Sequence, residues 1–159
     1  MAHKISRQIG RPEILRASLI SLALLVIVAG ILLARGSATE MSSITFDKGK
    51  PTADSYILEV VSDSVSQAKG LSGRTTLIKN GGMLFKYDTV GNRCFWMKDM
   101  KFNLDIIWFN SEHRITSIVK DLSPATYPQS YCGEAQNVVE FASGVTSKHN
   151  LRVGQIVQF

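Results

Sequence analysis

The stretch N-R-C-F-W-M-K-D-M-K-F-N-L-D-I-I-W-F, residues 92–109, decides how the rest of the chain is read. It gathers two Trp, three Phe, two Met and a Cys around a few charges, with no Pro or Gly to interrupt it. Short runs rich in aromatic and β-branched residues suit two strands, 94–98 and 104–109, better than one helix, with residues 99–103 as the link. In the second strand, alternation puts Leu104, Ile106 and Trp108 on one face and Asp105, Ile107 and Phe109 on the other. Both faces are apolar, so this strand is expected to be buried on both sides. Asp105 breaks the pattern, and a carboxylate among buried apolar neighbours needs a partner. Lys98 is the nearest cation by sequence and Arg74 the second.

Outward from this stretch, the chain divides by composition. Residues 17–34, A-S-L-I-S-L-A-L-L-V-I-V-A-G-I-L-L-A, carry no charge, and the run approaches the ~20 residues that cross a bilayer as a helix. Lys4, Arg7, Arg11 and Arg16 precede it against Glu13 alone, which predicts a cytoplasmic tail (1–16), a transmembrane helix (17–34), a linker (35–54) and an extracytoplasmic domain (55–159). Cleavage near Ala38 after a signal peptide is the rival expectation, since Gly36, Ser37 and Ala38 are small. The net charge of +5 is mostly topological: the first forty residues hold +3, and the other 13 basic against 11 acidic residues leave +2. No basic stripe points to nucleic acid.

Residues 56–62 alternate as a first firm strand, and Ser64 with Gln67 has the spacing of a capping box for a short helix over 65–69 that Gly70 ends. Gly81 and Gly82 are expected to turn into a strand at 83–87, followed by a loop at 88–92. A four-residue connection at 110–113 leads to a strand at 114–120. Residues 121–136, with two Pro, two Tyr and Cys132, read as a long loop. A strand at 137–142, a helical turn near 144–149 and a last strand near 155–159 complete the domain. The expected fold is α+β and mainly antiparallel, a small barrel-like sheet with two short helices. Cys94 and Cys132 either pair, which would stabilise by roughly 3 to 4 kcal/mol in the chain-entropy model, or remain buried free thiols.

Five motifs in order, G-L-S-G-R (70–74), G-M-L-F (82–85), F-W-M-K-D-M (95–100), L-D-I-I (104–107) and V-V-E-F-A-S-G (138–144), make the chain resemble the domain of unknown function 192 family over roughly residues 56–159. The resemblance implies a small β-rich domain with short helices, often behind a signal or anchor, and brings no activity with it. The chain departs from the family pattern at Glu112-His113, where Gly is usual, and at Asp99-Met100, where Asn or Asp precedes Thr. Both departures bear on turn geometry.

Arg74, Trp96, Lys98, Asp105 and Glu140 form the candidate ligand-binding set. Cys94, Trp96 and Lys98 share a strand face by alternation. Two carboxylates, two cations and an indole suit a small polar ligand, or acid and base work if burial separates their pKa values. The same residues suit two internal ion pairs that fix strand register. His3, His113 and His149 are scattered without metal-ligand spacing, and no cofactor motif or nucleophile elbow occurs. The expected function is a membrane-tethered binding module for a small polar ligand or a protein partner. The alternatives are a small enzyme using Lys98, Asp105 and Glu140, and an interaction protein presenting Tyr127 and Tyr131.

Overall fold

Strand β4 (Leu104–Phe109) is buried at every position, and its two faces feed two separate cores. Leu104, Ile106 and Trp108 join one cluster with Leu71, Met83, Phe85, Phe95 and Val138, while Ile107 and Phe109 join another with Ile44, Tyr56, Leu58, Val139 and Phe141. Period-two alternation of large apolar side chains therefore produces a sheet covered on both faces. Trp108 can be fully buried because its Nε1 donates to the Arg93 carbonyl at 2.8 Å.

This computed structural model describes residues 39–46 and 55–159. Around β4 stand β1 (Met41–Ile44), β2 (Tyr56–Val61), β3 (Gly81–Trp96), β5 (Ile115–Leu122) and β6 (Ser130–Ala142), with helices α1 (Ser64–Lys69) and α2 (Val145–Lys148). The strand order is β1-β2-β3-β6-β4-β5. The β2–β3 pair is parallel and the rest are antiparallel, so the sheet is mainly antiparallel as expected, but open, mixed and six-stranded rather than barrel-like. The cause is the connection from β2 through α1, which carries the chain back to the start of β2 before β3 begins. The expected tail, transmembrane helix and cleavage site lie outside the described residues. Among the described residues no helix is long and apolar enough to cross a membrane.

Several boundaries move. Met41–Ile44, expected within the linker, pairs with β2 as an edge strand, because Ile44 and Phe46 supply apolar surface to the core around Tyr56. Helix α1 is capped by Asp63, whose Oδ1 accepts from the amides of Ser66 (2.9 Å) and Val65 (3.1 Å), rather than by Ser64 with Gln67. The Gln67 side chain is used elsewhere, donating to the Lys86 carbonyl at 2.9 Å and so docking α1 on β3. Gly81 and Gly82 lie inside β3. A Cβ on Gly82 would come within 2.8 Å of the Glu140 carbonyl and of Leu58 and Phe141, so this ladder position admits no side chain.

The expected loop at 88–92 is part of β3, with the register against β6 shifting between Lys86 and Gly91. The long loop expected over 121–136 shrinks to the few residues between β5 and β6, since pairing resumes at Trp96 with Ser130. Side chains exposed along this ribbon made its composition resemble a loop. The last strand is reduced to two isolated bridges, Arg114 with Ile156 and Thr45 with Gln158, which touch both edges of the sheet. At the β4–β5 turn the Asn110 side-chain oxygen accepts from the amides of Glu112 and Arg114, and His113 takes the left-handed conformation (φ 56°).

Candidate functional site

Asp105 is buried and fully engaged, but not with a cation. Oδ1 accepts from the Asp121 amide at 2.9 Å. Oδ2 accepts from the Thr146 hydroxyl (2.7 Å), the Thr146 amide (2.8 Å) and the Gly144 amide (3.1 Å). The expected pairing with Lys98 or Arg74 is thus replaced by hydrogen bonds tying β4 to the end of β5 and the start of α2. Backbone donors serve as well as a cation here, because they arrive already ordered by the two chain reversals. Next to it, the exposed Asp121 accepts from Asn103 (2.9 Å) and Ser143 (2.7 Å), and these bonds hold its carboxyl below the usual range.

Arg74 makes a two-pronged pair with Glu59 on β2, at 2.8 Å through each nitrogen. The hydrogen bond to Arg74 holds Glu59 below the usual carboxylate range against the opposing effect of burial, and raises Arg74 in return. Lys98 is exposed just beyond β3, where its carbonyl accepts from the Ser72 hydroxyl at 2.9 Å. Cys94, Trp96 and Lys98 all face outward between buried Phe95 and Met97. The five candidates therefore do not form one constellation: Arg74, Lys98 and Asp105 occupy three separate environments. Only Trp96 and Glu140 come together.

They do so in a cleft of about 230 Å³ between the end of α1 and the β3–β6 surface. Alternation on β6 turns Val139 and Phe141 to one core and Val138 with Glu140 to the other, beside its ladder neighbours Met83 and Ile106. Glu140 is 4% exposed, and its Oε2 has no hydrogen-bond partner among the described residues. Burial pushes its carboxyl up to about 8, so at neutral pH it holds a proton. Phe85 and Phe95, edge-to-face at 4.8 Å, stand beside it, and Trp96, 49% exposed, forms the rim. Above lies Gly70, where a Cβ would sit 3.2 Å from Phe85 and 3.7 Å from Glu140 Oε2. The positive φ of Gly70 (50°) ends α1 and lets the backbone pass close over the carboxyl.

Tyr87 also lines the cleft. Burial raises its phenol; the Arg93 guanidinium, 3.9 Å from the ring centre, opposes this and the nearby Glu140 adds to it. Cys94 lies at the rim, joined to Cys132 across the β3–β6 ladder by a disulfide exposed to solvent rather than buried.

The profile of the domain of unknown function 192 family, described as "Uncharacterized ACR", matches residues 45–159. The chain belongs to this family. No curated protein matches it. Two crystal structures share its fold. One is a protein of Sinorhizobium meliloti 1021 provisionally called a transcription regulator (TM-score 0.66, 20% identity, 76% of this chain and 93% of that one). The other is a protein of unknown function from Novosphingobium aromaticivorans DSM 12444 (TM-score 0.64, 23% identity, 79% and 89%). At such identities the likeness speaks for the fold alone.

Within this DUF192 domain the cleft draws on four of the five motifs. Gly70 and Ser72 come from G-L-S-G-R, Phe85 from G-M-L-F, Phe95, Trp96 and Met100 from F-W-M-K-D-M, and Glu140 from V-V-E-F-A-S-G. The fifth, L-D-I-I, supplies Asp105. Sequence reasoning missed Gly70, Phe85, Tyr87, Phe95 and Met100 as cleft residues. Their signal was the spacing of Phe85, Tyr87 and Phe95 on β3, which reads as core until the bulge is known.

Proposed function

We propose that this DUF192 protein is an extracytoplasmic binding module, held at the membrane by residues 17–34, that takes a small ligand into the cleft over Glu140 and performs no chemistry of its own. The supporting observation is the unpartnered carboxyl of Glu140. A core that only had to be stable would put Leu or Met there, because an unsatisfied buried polar group costs about 1–3 kcal/mol. Its position at the floor of an open cleft, among residues of four motifs, gives that cost a purpose. The uncharged run at 17–34 with its basic flank supports the tether, and the Cys94–Cys132 disulfide fits an oxidising compartment.

A ligand-observed NMR screen of small fragments against the full chain in detergent tests the binding role. Hits that compete with one another and are lost in Glu140→Leu support it. Hits indifferent to that change would remove the cleft from consideration. For the tether, resistance to alkaline extraction from membranes, with the C-terminal domain open to protease from outside, is the expected result; release into the soluble fraction would favour cleavage near Ala38.

The raised Glu140 carboxyl also supports a second reading, an enzyme with this group as sole general acid. The separation of Lys98 and Asp105 from the cleft leaves it without a second acid or base from the expected set, and the binding role is preferred for that reason.

A further inference from the structure

Resting on the binding role just proposed, the cleft lining narrows the ligand. The carboxyl of Glu140 has apolar neighbours on every packed element: Met83 and Phe85 on β3, Ile106 on β4, Phe95 beyond the bulge, and the Gly70 backbone at the end of α1. The charged or titratable groups nearby are Tyr87, Arg93 and Lys69, and none bonds to it. Arg93 is committed to the Tyr87 ring and donates to the carbonyls of Thr89 (2.6 Å) and Ala135 (3.5 Å). Lys69 is exposed at the rim and acts on Glu59 instead. Among the described residues nothing donates to this carboxyl, and nothing offsets the charge it would carry once ionised.

Ligand classes differ sharply against such a site. An anion would find the Glu140 proton as a donor but only the exposed Lys69 at the rim as a cation. A neutral alcohol or amide can bond to the protonated carboxyl but makes no use of a group that can ionise. A cation bonds to Oε2 and stabilises the ionised carboxyl, and the half-exposed ring of Trp96 attracts positive charge to its face. The volume of about 230 Å³ lies below the ~300 Å³ at which pockets for drug-sized ligands begin, so the occupant is short. Phe85, Phe95 and Met100 offer a surface for a few methylenes. We infer that the cleft receives a primary alkylammonium, its nitrogen donating to Glu140 and its stem lying along those three side chains, whether as a free amine or as the side chain of a lysine.

This assignment has a signature that other ligands lack. Free Glu140 holds a proton at pH 7, whereas an ammonium partner requires the ionised form, so binding expels that proton. A neutral ligand leaves it in place or draws one in.

Titration calorimetry of the full chain in non-ionic detergent, with n-pentylammonium in buffers of different ionisation enthalpy, reads the signature. Expected are release of nearly one proton at pH 7 and binding about tenfold tighter at pH 9, where the carboxyl is already ionised. Glu140→Gln should weaken binding at least about tenfold and abolish the pH dependence. Trp96→Ala should weaken it while leaving proton release intact, a control that keeps the interpretation clear if Glu140→Gln folds poorly. Nα-acetyl-lysine N-methylamide, run alongside, distinguishes the sources: binding by either supports the ammonium, and the tighter one identifies which. If 1-pentanol binds as well as pentylammonium, or no proton leaves, the ligand class is wrong though the cleft still binds. If neither binds while fragments from the NMR screen do, the amine assignment is likewise overturned; if nothing binds at all, the binding role falls with it.

Discussion

Asp105 accepts from both the backbone amide and the hydroxyl of Thr146, at 2.8 and 2.7 Å, across forty-one residues of sequence. With the amides of Asp121 and Gly144 on the same carboxyl, one side chain satisfies three buried or half-buried backbone donors and a hydroxyl. Asp105→Ala strands those donors and should lower unfolding free energy by about 3 kcal/mol or more. Thr146→Val should cost less, and the pair should be non-additive in a double-mutant cycle by chemical denaturation. Additive losses would mean that the two residues act independently.

Glu140 gives the domain a pH dependence opposite to that of a paired carboxylate. The folded group keeps its proton up to about pH 8, whereas an unfolded one releases it near its ordinary value of 4.5. Between those values the folded state binds more protons, so stability falls as pH rises, by up to about 1.4 kcal/mol per pH unit from this group. Denaturation curves from pH 5 to 9 should show the decline, and Glu140→Gln should flatten it. A wild-type profile that rises over that interval would contradict the burial of this carboxyl.

The Cys94–Cys132 disulfide closes a loop with a sequence separation of 38. In the chain-entropy model its removal costs up to about 4 kcal/mol. Here the two strands are also held by the ladder on either side of the bond, so the double Cys→Ser variant should stay folded with a lower melting temperature. Hydrogen exchange should rise most in the ribbon around Gly91–Trp96. Uniform loosening of the whole sheet would show that the bond supports more than its ribbon.

The Arg74–Glu59 pair is partly exposed, so its two-pronged geometry contributes no more than about 1 kcal/mol. Arg74→Ala should shift stability by that much or less, with the effect shrinking in high salt. Because Arg74 holds Glu59 below its ordinary value, the contribution is present above the usual carboxylate range and fades as pH falls through the depressed value. Ligand binding in the Glu140 cleft should be unaffected, since Arg74 lines no part of it.

Much of the fold was legible where one side-chain pattern had one explanation. Alternation in 104–109 identified both faces of β4, and Gly70 marked the end of α1. Legibility failed where backbone did the work of side chains. Asp105 demanded a partner, but amides from Asp121, Gly144 and Thr146 leave no trace in composition, so the nearest cations were chosen instead. The ribbon of β3 and β6 was read as two loops because its side chains are exposed, while its pairing depends on main-chain groups and one disulfide. Glu140 stood out as polar among apolar neighbours. That it lacked a partner could be known only once β3, β4 and α1 were in place around it.

The two isolated bridges make one short segment the fastener of both edges of the sheet. Thr45 follows the first strand and Gln158 comes after every strand and helix of the domain, yet the two are bridged, and Ile156 reaches Arg114 as well. Both flanks of the sheet consequently stay unsealed until the segment after α2 has docked. An insertion between Ile156 and Gln158 would crowd the seam where β1 and β5 are finished off, which makes that segment the wrong place for one.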